Sequence, residues 1–188
     1  ALSKVCRENH LPLYVDGARL AYALASPEND VTLTDLAELS DVFYIGGTKC
    51  GALFGEAVVI PQKGRIPHFF TIIKQHGALL AKGRIAGIQF GELFTDGLYQ
   101  RIGKPAMEAA EQIKAALKKY GYQLSLDTPT NQIFCIVSNE VMKKIAQDVE
   151  FGFWEKYDET HSVIRFATSW ATTMEDTQKL IQILEKNK

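Results

Sequence analysis

Leu13-Tyr14-Val15-Asp16-Gly17-Ala18-Arg19 and Phe43-Tyr44-Ile45-Gly46-Gly47-Thr48-Lys49 are the two stretches that decide how this chain is read. Each is a short apolar run that breaks at glycine and delivers a charged side chain, a carboxylate in the first and an amine in the second. Leu13 to Val15 are almost uniformly apolar, which predicts a strand buried on both faces. Val42 to Ile45 predict a second strand, and Ala57 to Ile60, stopped by Pro61, a third. Ala18 to Ala25 have strong helix propensity, and Thr34 is placed to cap a further short helix running through Glu38. Strand, helix and strand at such short intervals imply an α/β layer with at least partly parallel pairing.

Outward from these stretches the pattern changes twice. On the amino-terminal side, Leu2, Val5 and Cys6 fit one face of a short helix. Downstream, Pro67 to Ala81 and Ile85 to Ile102 read as long helices separated by the basic break Lys82-Gly83-Arg84. Gly103-Lys104-Pro105 marks a boundary, with Pro105 well placed at a helix start, so residues 1–103 and 104–188 are expected to be separate domains. Past it, Ala106 to Tyr120 form an amphipathic helix with Lys114, Lys118 and Lys119 on its outer face and Gly121 as its stop. Strands are expected at Gln132 to Ser138, Phe151 to Lys156 and Val163 to Thr168. Helices are expected at Val141 to Val149 and, with Thr173 near its cap, at Met174 to Glu185. This is the texture of a small α+β unit.

With 188 residues, 46% of them hydrophobic, the chain can bury a real core. Its 21 basic and 22 acidic residues nearly cancel, so no field arises that would select nucleic acid or an anionic membrane surface. No apolar run approaches the roughly 20 residues needed to cross a bilayer. Cys6, Cys50 and Cys135 lie far apart without a C-x-x-C pair, which points to reduced thiols in a cytoplasmic protein. His68, His76 and His161 show no metal-ligand spacing, and Cys6 with His10 lacks further partners, so no metal is expected. The amino terminus has none of a signal peptide's layout and no initiator methionine. It reads like the middle of a helix, and the chain is expected to begin inside a larger protein.

A carboxylate after one strand and a lysine after the next, both at carboxyl ends of one sheet, is the arrangement a pyridoxal phosphate site needs. The carboxylate holds the pyridine nitrogen protonated, and the lysine bonds to the cofactor aldehyde. Taken singly, each residue has a plainer explanation. Lys49 can be a solvated loop lysine, Asp16-Gly17 an ordinary turn or helix cap, and Arg19 a helix-surface arginine. Glycines beside Lys49 would let the backbone approach a flat cofactor. Arg165 sits inside the apolar run Val163 to Thr168 and should face something anionic. That partner is a substrate α-carboxylate or an acid such as Glu155 or Asp158; the sequence leaves both open.

HLPLYVDGARL, DVFYIGGTKCGALFGEAVV, KGRIAGIQ, TNQIFCIV and VIRFATSWATTMEDTQKL, in this order and spacing, resemble the threonine aldolase group of the β-eliminating lyases over nearly the whole chain. Departures are Gly46-Gly47-Thr48 where serines are common before the lysine, and Cys50 where glycine is common after it. The resemblance implies a fold-type I pyridoxal phosphate enzyme, the later half of its large α/β domain followed by a small α+β domain. It implies Lys49 as catalytic residue, Asp16, Arg19, Thr48 and Lys49 as cofactor-binding residues, and Arg165 as the grip on the substrate carboxylate. The implied reaction splits a β-hydroxy-α-amino acid such as threonine into glycine and an aldehyde, in a homo-oligomer, dimer or tetramer. Another lyase or aminotransferase reaction on the same cofactor, or a non-catalytic oligomerisation module, are the alternatives. The family places the turn that cups the cofactor phosphate, and the group that stacks on its ring, ahead of the aspartate strand. The 188 residues alone are therefore expected to be a fragment that binds the cofactor weakly and is inactive by itself.

Overall fold

A computed structural model describes all 188 residues. The chain divides into two units, residues 1–24 with 29–101, and residues 25–28 with 102–188.

The first unit carries a three-stranded sheet in the order β1-β2-β3, formed by Tyr14–Val15, Val42–Gly46 and Glu56–Val59. β1 runs parallel to β2, with Tyr14 beside Val42 and Val15 beside Phe43, and β3 returns antiparallel with Gly46 beside Glu56. β1 is thus an edge strand, and Tyr14 is exposed. The expectation of burial on both faces fails because strand order, not the residues of the strand, decides which faces are covered. Phe43 and Ile45 of β2 are buried, while Tyr44 between them lies on the opposite face.

Helices α1 (Leu2–Glu8), α2 (Leu20–Leu24) and α3 (Leu33–Leu39) flank these strands in sequence. α1 turns Leu2 and Val5 outward and buries Ser3, the reverse of the face its apolar residues suggested. α3 is capped by Thr32, not Thr34. Thr32 accepts from the Asp35 N–H while the Asp35 carboxylate accepts from the Thr32 N–H, and only this register offers both partners. The long helical patterns further on are shorter than expected. α4 spans Phe69–Gln75 and α5 spans Arg84–Phe94. A 3-10 turn at Thr95–Gly97, with Asp96 at φ 49°, then separates α5 from α6 (Leu98–Arg101).

The second unit is a four-stranded antiparallel sheet in the order β4-β5-β7-β6: Gln123–Leu126, Gln132–Ser138, His161–Ala167 and Gly152–Lys156. α7 (Lys104–Lys119), α8 (Asn139–Ile145) and α9 (Met174–Lys186) complete it. Alternate residues Ile133, Cys135 and Val137 of β5, with Ile164 and Phe166 of β7, meet Ile113 and Leu117 of α7 and Leu184 of α9 in one buried core. Lys114 departs from the outer face assigned to it. It is 6% exposed, with its ammonium paired to Glu111 and donating to the Thr128 carbonyl at 3.0 Å, so the buried charge is partnered.

α9 opens on a capping box in which Thr173 accepts from the Asp176 N–H at 3.1 Å and Asp176 accepts from the Thr173 N–H at 3.3 Å. Replacing Thr173 with Ala should cost about 1 kcal/mol, measured as a lower denaturant midpoint with an unchanged slope.

Candidate active site

β1 and β2 are parallel neighbours, so the residues that follow them leave the sheet at the same end. Two glycines set how closely they do so. The Gly46 N–H donates to the Gly17 carbonyl at 2.9 Å. A Cβ on Gly17 would stand 1.7 Å from the Tyr44 carbonyl oxygen, and one on Gly46 would stand 2.5 Å from the Ala18 carbonyl oxygen. Gly47 is enclosed in turn by Phe90 and Ala52, whose atoms would lie 2.9 and 3.0 Å from an added Cβ. At Gly46 and Gly47 the place a Cβ would take is filled by the protein itself.

Asp16 follows directly on β1. Its Oδ1 accepts from the Ala18 N–H at 3.0 Å, a local turn of the kind aspartate favours, and also from the Tyr44 hydroxyl. Its Oδ2 has no bond. The Tyr44 and Ala18 donors, with the charges of Lys49 and Arg19, hold the carboxyl below the usual carboxylate range against a smaller opposing effect of burial. The Tyr44 phenol is pushed up to about 12, first by its bond to Asp16. Arg19 and Asp16 both line a cavity of about 350 Å³ walled by Leu20, Ala23, Val31 and Leu36.

The Lys49 turn is held from several sides. The Glu56 carboxylate at the start of β3 accepts from the Gly47 N–H at 2.7 Å and from the Thr48 hydroxyl at 2.9 Å. The Tyr22 hydroxyl of α2 donates to the Lys49 carbonyl, and the buried Tyr99 hydroxyl donates to the Gly46 carbonyl at 2.9 Å. Cys50 is buried with its Sγ 3.2 Å from the Gly46 carbonyl oxygen, and burial pushes this thiol up to about 11. Only the side chain of Lys49 is left exposed and unpaired. Sequence reasoning missed Tyr44, Glu56, Tyr22 and Tyr99. Gly46 stands opposite Glu56 in the sheet, a pairing that no local pattern announces.

Asp16, Arg19, Thr48 and Lys49 all belong to the first unit. Arg165 belongs to the second, on the β7 position flanked by Phe134 of β5 and Gly152 of β6. Its guanidinium donates to Gln132 Oε1 at 3.1 Å and lies 5.7 Å from the centre of the Trp154 ring. A Cβ on Gly152 would approach Arg165 Nε to 3.3 Å, so the glycine leaves room for the guanidinium. No acid pairs with Arg165. Asp158 accepts instead from the Thr160 and His161 N–H groups, which hold it down to about 2.

Serine palmitoyltransferase of Sphingomonas wittichii superposes with a TM-score of 0.72 at 11% identity, covering 99% of this chain and 49% of that one. At that identity the likeness is one of fold, and the fold is that of the fold-type I pyridoxal phosphate enzymes. A nearer likeness is to the threonine aldolase of Leishmania major, with a TM-score of 0.94 and 39% identity over 98% of this chain and 54% of that one. Among curated proteins, the low-specificity L-threonine aldolase of Pseudomonas sp. (strain NCIMB 10558) is 29% identical over 175 residues, 92% of this chain. The chain is thus similar to threonine aldolases over most of its length, and it spans about half the length of the curated relatives it matches. No protein-family model matches it.

If the Gly17 and Gly46 contact sets the geometry, Gly17→Ala should lower unfolding free energy by at least about 1–3 kcal/mol, the cost of overpacking. Denaturant unfolding of this variant against Gly87→Ala, a glycine with open space around it, makes the comparison.

Proposed function

We propose that this chain is the C-terminal portion of a pyridoxal phosphate-dependent lyase that cleaves the Cα–Cβ bond of a β-hydroxy-α-amino acid such as threonine, releasing glycine and an aldehyde. Residues 1–103 are read as the later part of the cofactor-binding domain and residues 104–188 as the small domain. The observation that carries the reading is the pairing at one sheet end of an ionised Asp16, with one oxygen open, and an unpaired Lys49. The 0.94 superposition on a threonine aldolase gives the pairing its context.

The donor set fits the cofactor. Asp16 Oδ2, without a bond of its own, is the acceptor for a protonated ring nitrogen. Lys49 is the amine that attaches to the cofactor aldehyde, on a turn whose backbone is fixed by Glu56, Tyr22 and Tyr99. Arg19 adds positive charge beside Asp16. Thr48 gives its hydroxyl hydrogen to Glu56, so it meets a cofactor as an acceptor. Bound pyridoxal phosphate supplies the electron sink for the bonding pair of the broken Cα–Cβ bond. Arg165 takes the substrate α-carboxylate. It carries five N–H donors, spends one on Gln132 and has no counter-charge in the protein. The enzyme is read as a cytoplasmic homo-oligomer, dimer or tetramer; no helix is long and apolar enough to cross a membrane.

The test is borohydride reduction of the pyridoxal phosphate-loaded full-length protein, followed by peptide mapping. The adduct is expected on Lys49, and an adduct on any other lysine contradicts the assignment. With threonine as substrate, Arg165→Ala should lower kcat/KM roughly 10- to 100-fold, the equivalent of one charge-assisted contact, chiefly by raising KM.

A further inference from the structure

Asp16 is an exposed carboxylate with the positive charges of Lys49 and Arg19 close enough to act on it, yet it pairs with neither. What fixes its orientation is visible in its bonds. Both donors, the Ala18 N–H and the Tyr44 hydroxyl, sit on the same oxygen, Oδ1. The Ala18 bond is local and follows from the turn. The Tyr44 bond comes from the neighbouring strand. Val15 lies beside Phe43, so continuing the parallel register places Asp16 beside Tyr44, on the face shared with Tyr14, whose ring centre is 6.3 Å from that of Tyr44.

We propose that Tyr44 is a positioning residue for Asp16. Its phenol anchors Oδ1 and presents Oδ2 as the single open acceptor. The role in cofactor binding rests on the function proposed above; the coupling of the two side chains does not. The bond does not switch over the working range of a cell. Asp16, Glu56 and Tyr14 face the Tyr44 phenol and each opposes its ionisation, so it stays a donor until about pH 12. Asp16 is favoured as its anion by the bonds from Tyr44 and Ala18 and by the charges of Lys49 and Arg19, against a smaller cost of desolvation. A hydrogen bond from a neutral phenol to an ionised carboxylate is of the stronger, charge-assisted kind, so it also fixes orientation.

The experiment uses the full-length protein without cofactor, labelled with ¹³C at aspartate carboxyls and tyrosine rings, and titrated by NMR. In Tyr44→Phe the Asp16 midpoint should rise toward its ordinary value. In Asp16→Asn the Tyr44 midpoint should fall from about 12 toward 10. An Asp16 midpoint unmoved by Tyr44→Phe, or a Tyr44 midpoint unmoved by Asp16→Asn, overturns the proposal. Should Tyr44→Phe fail to fold, the Asp16→Asn arm alone decides.

For the positioning role, pyridoxal phosphate and its 1-deaza analogue, which lacks the ring nitrogen, are titrated by fluorescence into wild type and Tyr44→Phe. Tyr44→Phe should weaken pyridoxal phosphate several-fold and leave the analogue unchanged. Equal weakening of both would mean that Tyr44 acts on the fold and not through Asp16. Loss of the Lys49 adduct would sink the proposed function while leaving the titration result standing, so the two failures are distinguishable.

Discussion

Gly46 donates its N–H to the Gly17 carbonyl at 2.9 Å, and neither residue has room for a Cβ. From this contact the rest of the first unit can be followed. It brings the segment after an edge strand against the end of the central strand, although β1 itself is only two residues long and contributes few ladder bonds. It fixes where Asp16 leaves the sheet and where the Lys49 turn begins, and α2, α6 and β3 then lock that turn through Tyr22, Tyr99 and Glu56. A backbone held from three elements that carries one exposed, unpaired amine suits the covalent role proposed for Lys49.

The charges around that frame are arranged to be held and yet unpaired. Asp16 keeps one oxygen open because its other oxygen accepts two hydrogen bonds. Lys49 keeps its amine open because its neighbours bond through backbone and hydroxyl groups. In the second unit Arg165 repeats the pattern with different means. A strand arginine without a counter-ion is costly, and here a ring face, an amide oxygen and the absent side chain of Gly152 make the position tolerable without neutralising it. Asp16 and Arg165 are held by hydrogen bonds without being neutralised, and Lys49 is left unpaired on a fixed backbone, the state that the proposed binding of a charged ligand requires.

Much of this was legible from local pattern. The strand ending at Asp16, the strand ending at the two glycines, α7 behind Pro105 and the Thr173 cap of α9 all follow from periodicity and turn chemistry. The departures share a physical cause, since each depends on a partner distant in sequence. β1 is half exposed because it lies at a sheet edge, and Lys114 is buried because the Thr128 carbonyl and Glu111 receive it. Thr32 outcompetes Thr34 because the carboxylate at Asp35 answers only the former, a signal present in the sequence. For the candidate site, the charged residues could be read directly. Tyr44 and Glu56 could not, because a phenol in an apolar strand and an acid opening another acquire meaning only once the register sets them beside Asp16 and Gly47. At Gly17 and Gly46 the missing side chain makes room for the chain itself.

The central claim is that Asp16 Oδ2 receives a protonated pyridine nitrogen. The ¹⁵N chemical shift of ring-labelled pyridoxal phosphate bound to the full-length protein reports that proton directly. The account predicts a protonated ring nitrogen in wild type across neutral pH and a deprotonated one in Asp16→Ala. A deprotonated nitrogen in wild type, or the same shift in both proteins, would contradict it.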